Sequence, residues 1–205
     1  EFVGSDKCKT CHAKQFDTWK DTYHSKMVRK KDDGILKAVV EKWASDGANP
    51  GPTKGNVDGK PYTLNDVVYV VGSYWKQRFL VKNAATGNHQ FMDRQWNRMS
   101  GKWEPYGQKN DWETQCSTCH ATGFRITSYD PAKPQEQKWS MSEQNIGCEA
   151  CHGPGAQHVK APSRKTIYSF AGKSVEQASL VCGYCHIRGE NHKFKTAQGN
   201  DTEYL

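Results

Sequence analysis

Apolar and motif side chains recur at intervals of three and four residues from Cys8 through Cys11, His12, Phe16 and Trp19 to Tyr23. They form one face of an amphipathic helix over 6–27, with Ser5 as its cap. Ile35, Val39, Val40 and Trp43 repeat the pattern and predict a second helix over 33–45. Residues 47–61, GANPGPTKGNVDGKP, carry too many glycines and prolines for either period and read as a loop. From 64 to 71 the apolar run fits a strand or a short helix equally well. Segments 74–83 and 89–97 flank the turn AATGN and predict a β-hairpin. A shorter strand pair is expected near 124–129 and 137–140. Two further helices begin at Ser142 and Ser174, where Gln177 completes a capping box with Ser174. No apolar stretch reaches the ~18 residues that a membrane span needs, so no transmembrane segment is expected. No signal peptide opens the chain, which predicts a secreted protein whose leader has been removed.

These elements have little to fill them. Leu and Ile number five each in 205 residues, Val 13 and Phe 7. With a formal charge of +7, so few aliphatic side chains would ordinarily indicate disorder. Seven Trp, nine Tyr and eight Cys contradict that reading, because disordered chains are poor in all three. Something other than aliphatic side chains must supply much of the interior.

The cysteines identify it. They fall as four pairs of identical spacing, each followed at once by histidine: Cys8, Cys11 and His12; Cys116, Cys119 and His120; Cys148, Cys151 and His152; Cys182, Cys185 and His186. CxxCH is the attachment motif for haem c. Two thiols three positions apart on a helical turn share one side of the backbone and can form thioethers to the two vinyl groups of one porphyrin. The histidine that follows is then placed under the ring as the proximal iron ligand. A zinc ribbon also uses CxxC pairs but gives no reason for four following histidines. A disulfide framework is allowed by the even count, yet a CxxC bridge closes too small a loop to staple anything. A thioredoxin-like motif explains one pair only. The expected cofactors are therefore four covalently attached haem c groups. Their apolar faces replace a conventional core, and the chain reads as a multihaem cytochrome c, mainly α and irregular with a small β-hairpin. Residues 1–205 are taken as a single tetrahaem domain, in which 62–106 is a haem-free insertion carrying the hairpin.

Four histidines serve as proximal ligands, leaving His24, His89, His158 and His192. Four irons and four spare histidines favour bis-histidine coordination throughout, which closes every iron to substrate. Met27, Met92, Met99 and Met141 read as packing residues rather than ligands. Two propionates per haem offset the basic charge, and no dense Lys/Arg run with interleaved aromatics is present, so no nucleic-acid partner is expected.

The segments CKTCHAKQFDTWKDTYHSK and GCEACHGPG resemble the tetrahaem cytochromes that accept electrons from hydroxylamine oxidoreductase in ammonia-oxidising bacteria. The insertion, CSTCHATGF and VCGYCHIRG are similar to a wider set of extracellular and periplasmic multihaem cytochromes. Among these, size and haem number are most similar to the OmcE-type cytochromes that polymerise into conductive filaments on metal-reducing bacteria. The resemblance implies that His24 is the distal ligand of the third haem, opposite His152, and His158 that of the first, opposite His12. His89 and His192 then serve haems two and four in either order. The ammonia-oxidiser relatives keep one haem five-coordinate, whereas this chain has enough histidines to close all four. In the filament relatives one histidine crosses into the neighbouring subunit, a role open to His89 or His192, with the stiffer hairpin favouring His89.

The expected function is electron transfer rather than catalysis. The leading form is an extracellular or cell-surface filament subunit, polymerised head to tail and exchanging electrons with other redox proteins and an extracellular acceptor. The alternative is a soluble periplasmic shuttle. An enzyme needs one open iron site, and no CxxCK variant is present.

Overall fold

A computed structural model of the chain describes residues 1–43, 51–52, 62–72, 74–106, 111–133 and 136–186. The helix expected over 6–27 divides into α1 (Ser5–Lys9), α2 (Ala13–Trp19) and α3 (Tyr23–Lys26), and of its expected inward face Phe16 and Trp19 are only half-buried and Tyr23 is 61% exposed. His12 leaves helical geometry at φ −118°, ψ 43°. Thr22 is extended and its hydroxyl accepts the Ser25 amide, so a side chain competing for backbone groups starts a new helix there. The next segment pairs as strand β1 (Val28–Lys30).

The second expected helix is likewise split, into α4 (Lys31–Gly34) and α5 (Lys37–Glu41), with Ile35 and Leu36 extended between them. The cause is tertiary. Gln77, fully buried, donates to the Gly34 carbonyl at 2.8 Å and accepts the Leu36 amide at 3.2 Å, taking two groups a continuous helix would use. A Cβ at Gly34 would lie 2.9 Å from Arg29 Cβ and 3.2 Å from Val70 Cβ, so only glycine lets this turn approach the sheet. Leu36 joins Ile35, Val39 and Trp43 in the packing, while Val40, expected inward, is 46% exposed.

The sheet is larger than the predicted hairpin. After β1 come β2 (Val67–Val71), β3 (Lys76–Lys82), β4 (His89–Phe91), β5 (Arg94–Asn97) and β6 (Lys102–Pro105). The order is β1-β2-β3-β5-β6, all antiparallel, with β4 pairing the C-terminal half of β3 and β5 its N-terminal half. The β3–β4 turn closes as expected, with Gly87 at φ +76°. Period-two alternation along β3 sends Phe79 and Val81 to one face and Leu80 to the other. On β2 a register shift between Val67 and Tyr69 lets Val67 and Val70 share a face.

The first face packs Phe79, Val67, Val70, Val81, Met92, Trp96 and Trp103 against Val39 and Trp43. Trp43 meets Trp103 edge-on at 5.4 Å, and the Trp103 indole donates to the Lys42 carbonyl at 2.7 Å. Each such aromatic pair adds ~0.5–1.5 kcal/mol beyond its buried area. The second face packs Leu80, Val71, Val28 and Phe91 against Trp112, with Met27 and Cys116 alongside.

Trp112 opens α6 (Trp112–Gln115), capped by Asp111, whose carboxylate accepts the Thr114 amide at 2.9 Å. Then follow α7 (Ser117–His120), β7 (Ala121–Thr122), β8 (Arg125–Ser128), β9 (Lys138–Ser140), β10 (Glu143–Gln144), α8 (Cys148–His152), α9 (Ala156–Lys160) and α10 (Val175–His186). The β8–β9 pair and the Ser174–Gln177 capping box match expectation. The helix expected from Ser142 does not start there, because Glu143 and Gln144 pair with β7 and the helix begins only at Cys148.

The fold class therefore needs correction. Helical and irregular segments still predominate, but the β part is no small hairpin, since six strands form one sheet with its own buried aromatic and valine core. Aliphatic side chains are scarce on average because they concentrate in the sheet. The helices near the motifs bury almost nothing against protein: α2, α9 and all twelve residues of α10 contribute no buried residue.

Candidate functional site

All four motifs fold as the same helical turn. The histidine amide donates to the carbonyl of the first cysteine at 2.9 Å in the first motif and 3.0 Å in the second. The third motif is α8 itself, and the fourth is the last turn of α10. None of the eight cysteines forms a disulfide.

Two carboxylates, one buried and one half-buried, hold the first and third motifs together. Glu149, between the cysteines of the third motif and 2% exposed, accepts the amides of Val3 (2.9 and 3.0 Å), Gly4 (2.8 Å) and Gly155 (2.7 Å). Glu143 accepts the Ser5 hydroxyl at 2.6 Å, and the same hydroxyl receives the Cys148 amide at 3.0 Å. A Cβ at Gly147 would collide with the Glu143 carboxylate. Sequence reasoning missed both acids. Their one signal was position, Glu149 lying inside a CxxC and Glu143 five residues before it.

The result is a cavity lined by Cys8, His12, Trp19, His24, Cys148 and His152. The Cys8 thiol lies within hydrogen-bonding reach of Cys148, and burial, followed by that neighbour, pushes its pKa up to about 12. Burial likewise raises Cys116 to about 11, and Cys185 to about 12 with help from adjacent Cys119. Cys151 is raised by burial first and by Cys182 next. Among the described residues, no group of three or more His, Cys, Asp or Glu side chains is placed to hold a metal ion.

The histidines are paired. His12 and His158 lie 6.2 Å apart between ring centroids, at an interplanar angle of 20°. His24 and His186 lie 6.0 Å apart, at 58°. Two imidazoles on opposite sides of one metal ion, each nitrogen about 2.0–2.1 Å from it and each ring centre roughly 1.1 Å behind, have centroids about 6.3 Å apart. Both pairs meet that spacing. His24 thus faces His186 rather than the expected His152, although it borders the cavity His152 lines. His152 Nδ1 donates to the Tyr168 carbonyl at 2.9 Å, leaving Nε2 for a metal. The His120 ring packs on Trp112 at 5.5 Å and touches Met27. His89 is held by Glu113, its Nδ1 2.6 Å from the carboxylate. His192 lies outside the described residues.

The donor set fits haem. Each motif presents two thiols and an imidazole on one turn, and two more histidines stand opposite motif histidines at the span of one iron. Beside the fourth motif, Leu180 (69% exposed) and Tyr184 (54%) offer apolar surface suited to a porphyrin face. Among the described residues, the buried indole N–H of Trp112, next to His120, has no hydrogen-bond partner.

Repeated CxxCH turns with opposed imidazoles define a multihaem c-type cytochrome. The chain belongs to the family described as cytochrome c554 and c-prime, which it matches over residues 7–48 and 73–153. It is 29% identical over 82 residues to the C-type polyhaem cytochrome OmcC of Geobacter sulfurreducens, covering 40% of this chain and 10% of that protein. Its fold is similar to the outer cell wall cytochrome OcwA, with a TM-score of 0.64 and 28% identity over 93% of this chain and 38% of the other. It is also similar to an undecahaem cytochrome from the S-layer of Carboxydothermus ferrireducens, with a TM-score of 0.62 and 23% identity over 90% of this chain and 25% of the other. The chain thus spans between a tenth and about two-fifths of these relatives. Among the described residues, no helix is long and apolar enough to cross a membrane.

Proposed function

We propose that this chain transfers electrons through four covalently attached haem c groups, at or outside the cell surface. The observation that carries the reading is the spacing of the two histidine pairs, 6.2 and 6.0 Å, the span of two imidazoles that would ligate one iron and leave it no open position. Bound haem supplies a reversible one-electron iron couple. The protein's part is to attach, ligate and order the groups. His12 with His158 serves the first and His24 with His186 the fourth, a revision of the pairing implied by the resemblance. Thiol proximity supports an order: Cys8 beside Cys148 joins the first and third motifs, Cys151 near Cys182 the third and fourth, and Cys185 beside Cys119 the fourth and second. Electrons would pass along 1-3-4-2.

Within that reading, the assembly is a head-to-tail homopolymer forming an extracellular conductive filament, since a heterologous contact that does not close propagates. The resemblance to filament cytochromes and the surface location named for OcwA and the S-layer cytochrome support it. His89 is anchored to Glu113 of its own chain, which leaves His192 as the ligand offered to a neighbour. Electron microscopy of the purified protein is expected to show filaments, and carbon monoxide is expected to leave the reduced spectrum unchanged. A mass that stays monomeric at high concentration would replace the filament with a soluble periplasmic shuttle. Carbon monoxide binding to a stoichiometric fraction of haem would overturn the closed-iron reading itself.

A further inference from the structure

Glu113 is fully buried, yet it carries a carboxylate, and both its oxygens are spent on a single residue. Oε2 accepts the His89 backbone amide at 2.8 Å, and Oε1 accepts the ring Nδ1–H at 2.6 Å. The His89 side chain retains 18% exposure. Tyr69 meets the same ring edge-on at 5.3 Å. Two hydrogen bonds and an aromatic wall therefore fix the ring, with Nδ1 turned to the carboxylate and Nε2 directed away from it.

A buried carboxylate is costly unless positive charge stands close. A neutral imidazole supplies a donor without charge, whereas an imidazole bound to a ferric iron supplies both. Carboxylate–histidine–metal arrangements use this geometry to fix tautomer and ring orientation and to raise the basicity of the ligating nitrogen. His12, His158, His24 and His186 account for two opposed pairs. His120 and His152 follow motifs, so His89 is the described histidine left for distal duty.

We propose that Glu113 is a positioning residue that holds His89 as an axial ligand of one haem and, by strengthening that ligand, sets this haem's reduction potential below what an unassisted histidine would give. The inference rests on the electron-transfer reading above. Glu113 stands three residues before Cys116, on the helix that leads into the second motif, so the element that attaches one haem also tunes a ligand.

The test uses the full haem-loaded chain, with haem content checked by intact mass. His89→Ala is expected to convert one low-spin haem to high spin in the electron paramagnetic resonance spectrum. Glu113→Gln keeps the shape and one acceptor oxygen for the ring Nδ1–H, removes the charge, and gives up the second acceptor that took the His89 backbone amide. It is expected to leave every haem low-spin and to shift one component of the redox titration upward by about tenfold in its reduction equilibrium, or about 59 mV for a one-electron couple. The other components stay in place. If His89→Ala leaves all haems low-spin, or Glu113→Gln lowers thermal stability without moving any potential, the pair is a structural ion pair and the proposal is overturned. Electron transfer stands in either case, and fails only if the unaltered protein shows no reversible redox titration.

Discussion

Glu149 shows how much one side chain can organise. Its carboxylate accepts three backbone amides from segments that are distant in sequence, fastening Val3 and Gly4 to the loop after the third motif. Glu149→Gln replaces one acceptor oxygen with an NH2 group that faces amide donors, leaving buried N–H groups unsatisfied. The expected cost is about 2–4 kcal/mol. A lowered thermal midpoint together with faster proteolysis near residue 4 checks it. A midpoint unchanged from wild type would show that water or haem substituents satisfy these amides instead.

At the level of elements, the two-faced sheet separates two kinds of support. Phe79 belongs to the face packed with Val39, Trp96 and Trp103, remote from any motif, while Leu80 belongs to the face that packs on Trp112 and borders Cys116. Phe79→Ala is expected to destabilise by about 3–5 kcal/mol and Leu80→Ala by about 2–5 kcal/mol. Only Leu80→Ala should also alter the Soret circular dichroism, because it alone undermines the second motif. Equal Soret changes in both variants would mean that the sheet transmits strain rather than dividing its duties. The region 62–106 carries no motif, but the sheet it builds is the platform for one.

For the whole molecule, the proposed order makes the motifs unequal. Replacing Cys182 and Cys185 with Ser removes a haem from the middle of the series, whereas replacing Cys8 and Cys11 removes one from an end. Each variant is expected to lose one haem by mass. Flash-induced electron exchange should slow strongly in the first and persist among the three remaining haems in the second. Similar rates in both would refute the linear order. If a soluble partner docks on the chain, the exchange rate with it should fall with ionic strength, since such encounters are steered by charge.

Covalent chemistry was legible without a structure. The CxxCH spacing pointed to haem c and so to the family the chain belongs to, because the signal lies within five consecutive residues; His12, His120, His152 and His186 as proximal ligands are part of the proposal. The inward face of the 33–45 segment was legible for the same local reason, as with Val39. Long-range competition decided the rest. The run 64–71 was ambiguous because the bulge on β2 puts Val67 and Val70 on one face at helix-like spacing. The 33–45 helix broke because Gln77, about forty residues away, claims its backbone groups. Glu113 and Glu149 look like ordinary surface charges in the sequence, and only folding buries them against amides and a histidine. The pairing of His24 with His186 is likewise a matter of tertiary placement. Which groups the chain binds is written in adjacent residues, whereas how those groups are ordered, opposed and tuned depends on contacts that no local pattern encodes.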